Sequence, residues 1–194
     1  MTKTWVTADP HWGHAGVCRF MGPDGATKLR PWDDPEEMDA AMIKNWNAVV
    51  SPQDRVYVLG DLAINRKAIH KIGLCHGRKV LVKGNHDIFK LSDYSSHFDD
   101  IRAYVVKKTP QGGKLIMSHI PIHEESLGRW GLNIHGHLHA HTVKKRTKYN
   151  TLVDDKRYVC VSVEQTNFTP ILLEEAVARG VPEDTGWYKH DASN

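Results

Sequence analysis

The sequence predicts an α/β domain in which helices pack on a parallel or mixed sheet, and three observations carry that prediction. Short β-rich apolar runs alternate with stretches of helical periodicity, in the order TWVTAD, PEEMDAAMIKNWNAVV, RVYVLGD, RKAIHKIGL and KVLVKGNHD, the rhythm of strands joined by crossover helices. A chain of 194 residues is long enough for one sizeable core and short for two. The apolar runs also stop abruptly on Asp, Asn or His instead of fading into neutral loops. Residues 1–180 are therefore expected to form a single domain, with 181–194 as a polar tail.

TWVTAD reads as the first strand, arriving at Asp9, and Pro10, Gly13 and Gly16 then open a long loop through MGPDGATKLRPWDD. Asp34 suits an N-cap, Pro35 the first helical position, and Glu37 completes a capping box. Met38, Ala41, Met42, Trp46 and Val49 share one face at helical spacing, so this segment is expected to be a helix ending near Ser51-Pro52, with its methionines and tryptophan in the core. RVYVLGD follows as a buried strand, RKAIHKIGL as a short helix and KVLVKGNHD as a strand closing on a polar turn. IRAYVVKKTPQGGKLIMSH reads as a hairpin turning at Pro110, Gly112 and Gly113. LNIHGHLH and RYVCVSVE complete the strands, and ILLEEAVARG is a last helix stopped by Gly180.

Composition excludes several classes. Hydrophobic residues at 40% and charged residues at 25% do not fit a disordered or collagen-like chain. A formal net charge of +3 is too mild to imply nucleic-acid binding unaided. The N-terminus lacks the apolar core of a signal peptide, and no stretch is long and apolar enough to cross a bilayer. Cys18, Cys75 and Cys160 form no C-x-x-C pair, and an odd number makes a poor disulfide framework, which points to buried thiols at Cys75 and Cys160 and to a cytoplasmic protein.

TADPH, LGD, KGNHD, SH and HGHLH each put Asp, Asn or His at the end of a strand. Ligands of open α/β sheets bind beyond the carboxyl ends of strands, where loops from separate elements converge, so Asp9, His11, Asp61, Asn85, His119, His137 and His139 are expected to meet. Any one of these pieces has an ordinary reading as a polar turn, since Gly and Asn tolerate positive φ and Asp bonds readily to nearby backbone. Five in order, each after an apolar run, do not. His137 and His139, two apart, face the same side only on extended backbone. Imidazole and oxygen donors without a thiolate suit Mn²⁺, Fe²⁺ or Zn²⁺ in an open site and not a closed structural zinc site. Seven donors exceed one tetrahedral ion; two ions sharing a carboxylate would use them all, a device that recurs in displacement at phosphorus.

The series Asp9-x-His11, Gly60-Asp61, Gly84-Asn85-His86-Asp87, His119 and Gly136-His137-x-His139 resembles the calcineurin-like metallophosphoesterase superfamily, over most of the chain from Asp9 to His139. The resemblance implies a four-layer α/β/β/α sandwich of two mixed sheets with a two-metal site at their edge. It further implies that Asp9, His11 and His139 hold one ion, that Asn85, His119 and His137 hold the other, and that Asp61 bridges them. The expected activity is a phosphoesterase in which a hydroxide shared by the ions attacks phosphorus and His86 protonates the leaving alkoxide. Asp87 either orients the His86 ring or forms the turn. Manganese is the expected metal, with Fe²⁺, Ni²⁺ and Zn²⁺ as alternatives.

His14 is close enough in sequence to serve as an outer ligand or phosphate donor, whereas His135 is open to a supporting or a core role. Phosphoprotein phosphatases of the superfamily carry an arginine four residues after the bridging aspartate and another just before the Gly-Asn-His turn; Asn65 and Lys83 stand there, which disfavours that substrate class. Arg66, one place late, is the available substitute. The short gaps between motifs leave no room for a lid domain, so an open site for phosphodiesters, including nucleotides and nucleic-acid ends, is expected. Arg19, Lys28 and Arg30, Arg129 beside Trp130, and the run Lys144 to Lys148 are candidates to meet phosphate groups, with Trp130 able to stack on a base; their ordinary alternative is a solvated loop. A phosphomonoesterase of broad or protein specificity is the second reading, and a metal-binding interaction scaffold without catalysis the third. No membrane association is expected, and protein partners are left open.

Overall fold

The computed structural model describes residues 2–109 and 113–180. Its first sheet has β1 (Thr4–Thr7), β2 (Arg55–Val58), β3 (Arg78–Val82) and β4 (Asp100–Arg102) side by side and parallel. The second contains β5 (Val105–Lys108), β6 (Lys114–Ser118), β7 (Leu132–His135) and β10 (Tyr158–Cys160), parallel except for β5. Between β7 and β10 the chain makes an exposed two-stranded ribbon, β8 (Lys144–Arg146) with β9 (Leu152–Asp154). Last comes β11 (Ile171–Leu172), which pairs antiparallel with β1 and makes the first sheet five-stranded. Both main sheets are thus mixed, as the alternating sequence predicts.

The helix α1 (Pro35–Val49) begins as expected: the Asp34 carboxylate accepts from the Glu37 N–H at 3.2 Å, and Pro35 occupies the first position. Met38, Met42 and Trp46 are buried, but Val49 is 36% exposed; it lies at the last helical residue, where the chain already turns away into extended backbone. RKAIHKIGL is not α-helical. It forms a 3-10 segment over Arg66–Leu74, capped by the Asn65 side chain on the Lys67 N–H at 3.0 Å, and buries Ile69 and Ile72, which are three apart and so share a face at three residues per turn. Among the described residues the further α-helices are the short α2 (Leu91–Ser95) and α3 (Leu173–Gly180).

Two apolar cores explain why the central strands carry consecutive hydrophobic residues. Trp5, Val56, Val58 and Leu81 face Met38, Met42 and Trp46 of α1 together with Ile69 and Ile72. Their strand neighbours Val6, Tyr57, Leu59, Val80 and Val82 turn to the other side and pack with Leu115, Met117, Leu132, Ile134 and Val159 of the second sheet. Period-two alternation therefore sends successive residues into different cores, and both faces of the first sheet are covered. α3 contributes Ala176 and Val177 to the core shared by the sheets and contacts strands of both.

The two sheets also meet at the ends of their strands, where Ala8 and Ser162 form a parallel bridge and the Val163 N–H donates to the Ala8 carbonyl at 3.0 Å. Cys18, Cys75 and Cys160 are buried and free. No helix among the described residues is long and apolar enough to cross a membrane. The expected tail at 181–194, and Pro110 and Gly112 of the hairpin turn, lie outside the described residues.

Candidate metal centre

Because β1, β2 and β3 are parallel, their exits deliver Asp9, Asp61 and Asn85 to one edge, and the parallel pair β6 and β7 delivers His119 and His137. Backbone bonds tie these exits together: the Asp9 N–H donates to Gly60 O at 3.1 Å, His11 N–H to Asp61 O at 3.2 Å, and Gly136 N–H to His119 O at 2.9 Å. Gly60 has φ +84°, and a Cβ there would lie 2.6 Å from the Gly84 Cα and 2.6 Å from the His119 Nδ1, so only glycine lets the β2 and β3 exits approach this closely.

The backbone does not run extended through the ligand positions. Asp9, His11, Asp61, His137 and His139 have φ of 57°, 51°, 52°, 69° and 50°, a left-handed conformation that costs non-glycine residues roughly 1–3 kcal/mol each. This corrects the extended geometry expected of His137 and His139. With left-handed turns at both, the two rings fall into different groups: Asp9, His11 and His139 in one, Asp61, His119 and His137 in the other, the donor atoms of each group lying within 4.8 Å of one another.

Asp9 is fully buried, and its Oδ2 accepts from the His137 N–H at 2.9 Å and the Ser162 hydroxyl at 2.6 Å. Its Oδ1 has no hydrogen-bond partner among the described residues and lies 3.9 Å from His119 Nδ1. Burial pushes the Asp9 carboxyl up to about 6. Asp61 Oδ1 accepts from the His86 N–H at 2.8 Å and stands 3.4 Å from His119 Nε2, while its Oδ2 stands 3.7 Å from His11 Nε2. His119 faces the Leu59 carbonyl through Nδ1 at 2.9 Å and Asn85 Oδ1 through Nε2 at 2.7 Å. Burial, with Arg30 and neighbouring histidines, holds His11 well below the usual imidazole range. The rings of His11 and His139 stack at 5.2 Å and those of His119 and His137 meet at 5.1 Å.

Burial would lower His139 too, but the Glu164 carboxylate at 3.1 Å from its Nδ1 outweighs that and raises its pKa. Glu164 is held in turn by Arg30, whose Nε and Nη2 reach Glu164 Oε1 at 2.8 and 2.7 Å. The same guanidinium donates to the carbonyls of Asp9 at 2.7 Å and Pro10 at 2.8 Å.

His86 is a solvent-facing ring beside Asp61: its side chain is 48% exposed, with Nε2 4.0 Å from Asp61 Oδ2. Of the two roles open to Asp87, the structure shows the turn. Its buried carboxylate accepts the N–H groups of Asp61 at 2.9 Å, Leu62 at 3.0 Å and Gly84 at 2.8 Å, because a buried carboxylate needs donors and these three backbones supply them. The His86 ring is not among its partners.

Other expectations fall outside the cluster. Arg30, expected to meet substrate, is 0% exposed; it braces the loop behind Asp9 because its charge is neutralised there by Glu164. Arg66 pairs with Asp93 at 2.5 Å and Lys28 pairs with Asp33. Arg19 is exposed, as is Arg129, and Trp130 is half-buried at the end of a 3-10 segment. The half-buried His14 accepts from the Gly16 N–H at 3.3 Å, its ring 5.9 Å from that of His11. His135 is a core residue, bonded to the Gly136 carbonyl at 2.7 Å and pushed down to about 4 by burial.

Ser162 and Glu164, which hold Asp9 and His139, are contacts of the cluster that the motifs do not reveal. The signal was available, since VCVSVE also ends a strand in alternate polar groups. The cluster fits divalent cations on its own chemistry: two triads of nitrogen and oxygen donors, no thiolate in either, and buried polar atoms at Asp9 Oδ1 and His11 Nδ1 that no group among the described residues satisfies.

Fold and cluster together define a mixed α/β protein with His/Asp groups at its strand ends that could hold metal ions. No family model matches the chain. It is 31% identical over 182 residues to the uncharacterized protein MJ1445 of Methanocaldococcus jannaschii, across 90% of this chain and 89% of that one, and it belongs to the same family as that protein. The gene 66 protein of Mycobacterium phage L5 is 28% identical over 177 residues, covering 75% of this chain and 82% of its own. The crystal structure of AQ665, a protein of unknown function from Aquifex aeolicus, superposes with a TM-score of 0.59 at 23% identity, over 90% of this chain and 97% of that one, which shows a shared fold.

Proposed function

We propose that the protein is a metal-dependent phosphoesterase of the calcineurin-like superfamily that prefers phosphodiesters, acting on nucleotides or nucleic-acid-derived esters. The observation that carries this reading is the meeting of residues drawn from four separate strand ends as two donor triads side by side. Two mixed sheets sharing one core, with α1 on the outer face of the first, support the four-layer arrangement of that superfamily, and residues 1–180 are read as its single domain. Three buried free thiols support a cytoplasmic setting.

We read Asp9, His11 and His139 as holding one divalent ion, Asn85, His119 and His137 as holding a second, and Asp61 as shared, with manganese as the metal. Such ions, when bound, lower the pKa of coordinated water and neutralise charge that builds on phosphoryl oxygens. The chain's own groups do the rest. Ser162 and the His137 N–H fix Asp9, and the His86 N–H fixes Asp61. Glu164 accepts the His139 Nδ1 proton, which leaves Nε2 as the free donor. His86, exposed and beside Asp61, gives its proton to the departing alkoxide. Asn85, His86 and His137 are exposed, which suits esters with two substituents on phosphorus.

The test is hydrolysis of bis- and mono-nitrophenyl phosphate by protein loaded with Mn²⁺, alongside elemental analysis. A preference for the diester is expected. Strong preference for the monoester reverses the substrate class, and bound metal without hydrolysis across a wide panel replaces the enzyme with a metal-binding scaffold.

A further inference from the structure

A cavity of about 540 Å³ opens beside the cluster, and Asn85 and His119 belong to both. A phosphoester held at the cluster would therefore extend one substituent into this space. Its volume lies in the range of small-molecule sites, roughly 300–1,000 Å³, and greatly exceeds what a phosphate group alone fills.

The lining has two characters. Leu91, Ile101 and Ile120 make an apolar wall, and Leu91 and Ile120 remain 58% and 53% exposed, large aliphatic groups left uncovered beside a polar cluster. Lys83 and Arg102 supply the charge. Arg102 is engaged by Asp100 at 2.6 Å, whereas the half-buried Lys83 has no acceptor for its ammonium group among the described residues. An apolar wall offers nothing to a bare phosphate or sugar, and an unpaired ammonium offers nothing to a hydrocarbon, so the fitting ligand carries both an apolar ring and an anion.

We infer that this cavity is the subsite for one substituent of a phosphodiester, taking a nucleotide-sized group whose ring lies against Leu91, Ile101 and Ile120 and whose own second phosphate meets Lys83. The inference rests on the phosphoesterase reading. It makes Lys83, the residue standing directly before the Gly-Asn-His turn, a determinant of which diester is cleaved, through recognition of a phosphate other than the one under attack.

The test compares a dinucleotide bearing a terminal phosphate, at either end, with the same dinucleotide lacking it, on the Mn²⁺-loaded full chain. A terminal phosphate at one end is expected to raise kcat/KM by about ten-fold, the effect of one charge-assisted hydrogen bond. Lys83→Ala should erase that preference through KM, Lys83→Arg should retain it, and Leu91→Ser should weaken both substrates by about three-fold. Calorimetric binding of a nucleoside 3′,5′-bisphosphate against the unphosphorylated nucleoside reads the same contact without turnover. If Lys83 governs bisphosphate binding and no ester is hydrolysed, the cavity stands as a nucleotide-binding site and the phosphoesterase reading falls, taking the substrate role of the cavity with it. Equal loss on both dinucleotides in Lys83→Ala, or equal affinity for bisphosphate and nucleoside, overturns the subsite while hydrolysis itself keeps the phosphoesterase reading.

Discussion

Arg30→Met should be among the most damaging substitutions outside the candidate ligands. The guanidinium is fully buried and donates to the carbonyls of Asp9 and Pro10 as well as to Glu164. Methionine fills much of the same space but leaves the Glu164 carboxylate, itself 3% exposed, with His139 as its one charged partner and strands two buried carbonyls. Removing one member of a buried pair typically costs about 3–5 kcal/mol, and the orphaned carbonyls hold the loss toward the upper part of that range. Urea denaturation measures it. In Arg30→Met/Glu164→Gln the uncompensated charge disappears, so the double variant should recover about 2 kcal/mol over Arg30→Met. A loss below about 1 kcal/mol, as for an exposed ion pair, or strict additivity in the cycle, would show that Arg30 does not neutralise a buried Glu164.

Asp54 makes a comparable anchor at the opposite end of the first sheet, accepting the Lys3 N–H at 2.9 Å, the Trp5 indole at 3.0 Å and the Ser51 N–H at 3.0 Å; Asp54→Ala should cost about 2–3 kcal/mol in a denaturant melt, and a neutral result would remove the anchor. Burial alone would raise the Asp54 pKa, but those bonds outweigh it and the net shift is downward. Its stabilisation is therefore full above the ordinary carboxylate range, about pH 4, and fades as acid titrates the folded carboxylate; Asp54→Asn should flatten that part of the acid stability profile. Gly60→Ala forces a Cβ onto Gly84 and His119 at a positive φ, so a loss of at least about 2 kcal/mol and weakened Mn²⁺ binding are expected, and an unchanged melting temperature would contradict the close approach. Asp87→Asn should lower stability by about 1–3 kcal/mol and leave the shape of the pH–rate profile intact, whereas a shifted limb would return Asp87 to a role on the His86 ring.

Much of the fold could be read from local pattern because the physics there is local. Asp34, Pro35 and Glu37 announce the start of α1 through groups three residues apart, and the doubly apolar strands reflect two cores reached by alternation, Trp5 into one and Val6 into the other. The strand-end residues were legible for the same reason, since each apolar run ends on the group in question. What escaped detection depends on distant partners. Arg30 is an exposed-looking loop arginine until Glu164, 134 positions away, is brought beside it. Asp87 acquires its three backbone donors only once the β2 and β3 exits lie together. The left-handed backbone at His137 and His139 is likewise not announced by the alternation of the segment.

The account depends on this strand-end cluster holding paired cations, and manganese stoichiometry by elemental analysis after equilibrium dialysis tests that most directly. Two ions per chain are predicted for the unmodified protein, falling to about one in His11→Ala and in His137→Ala, which remove one donor from each triad. A protein that stays metal-free, or a stoichiometry that neither substitution changes, would contradict it.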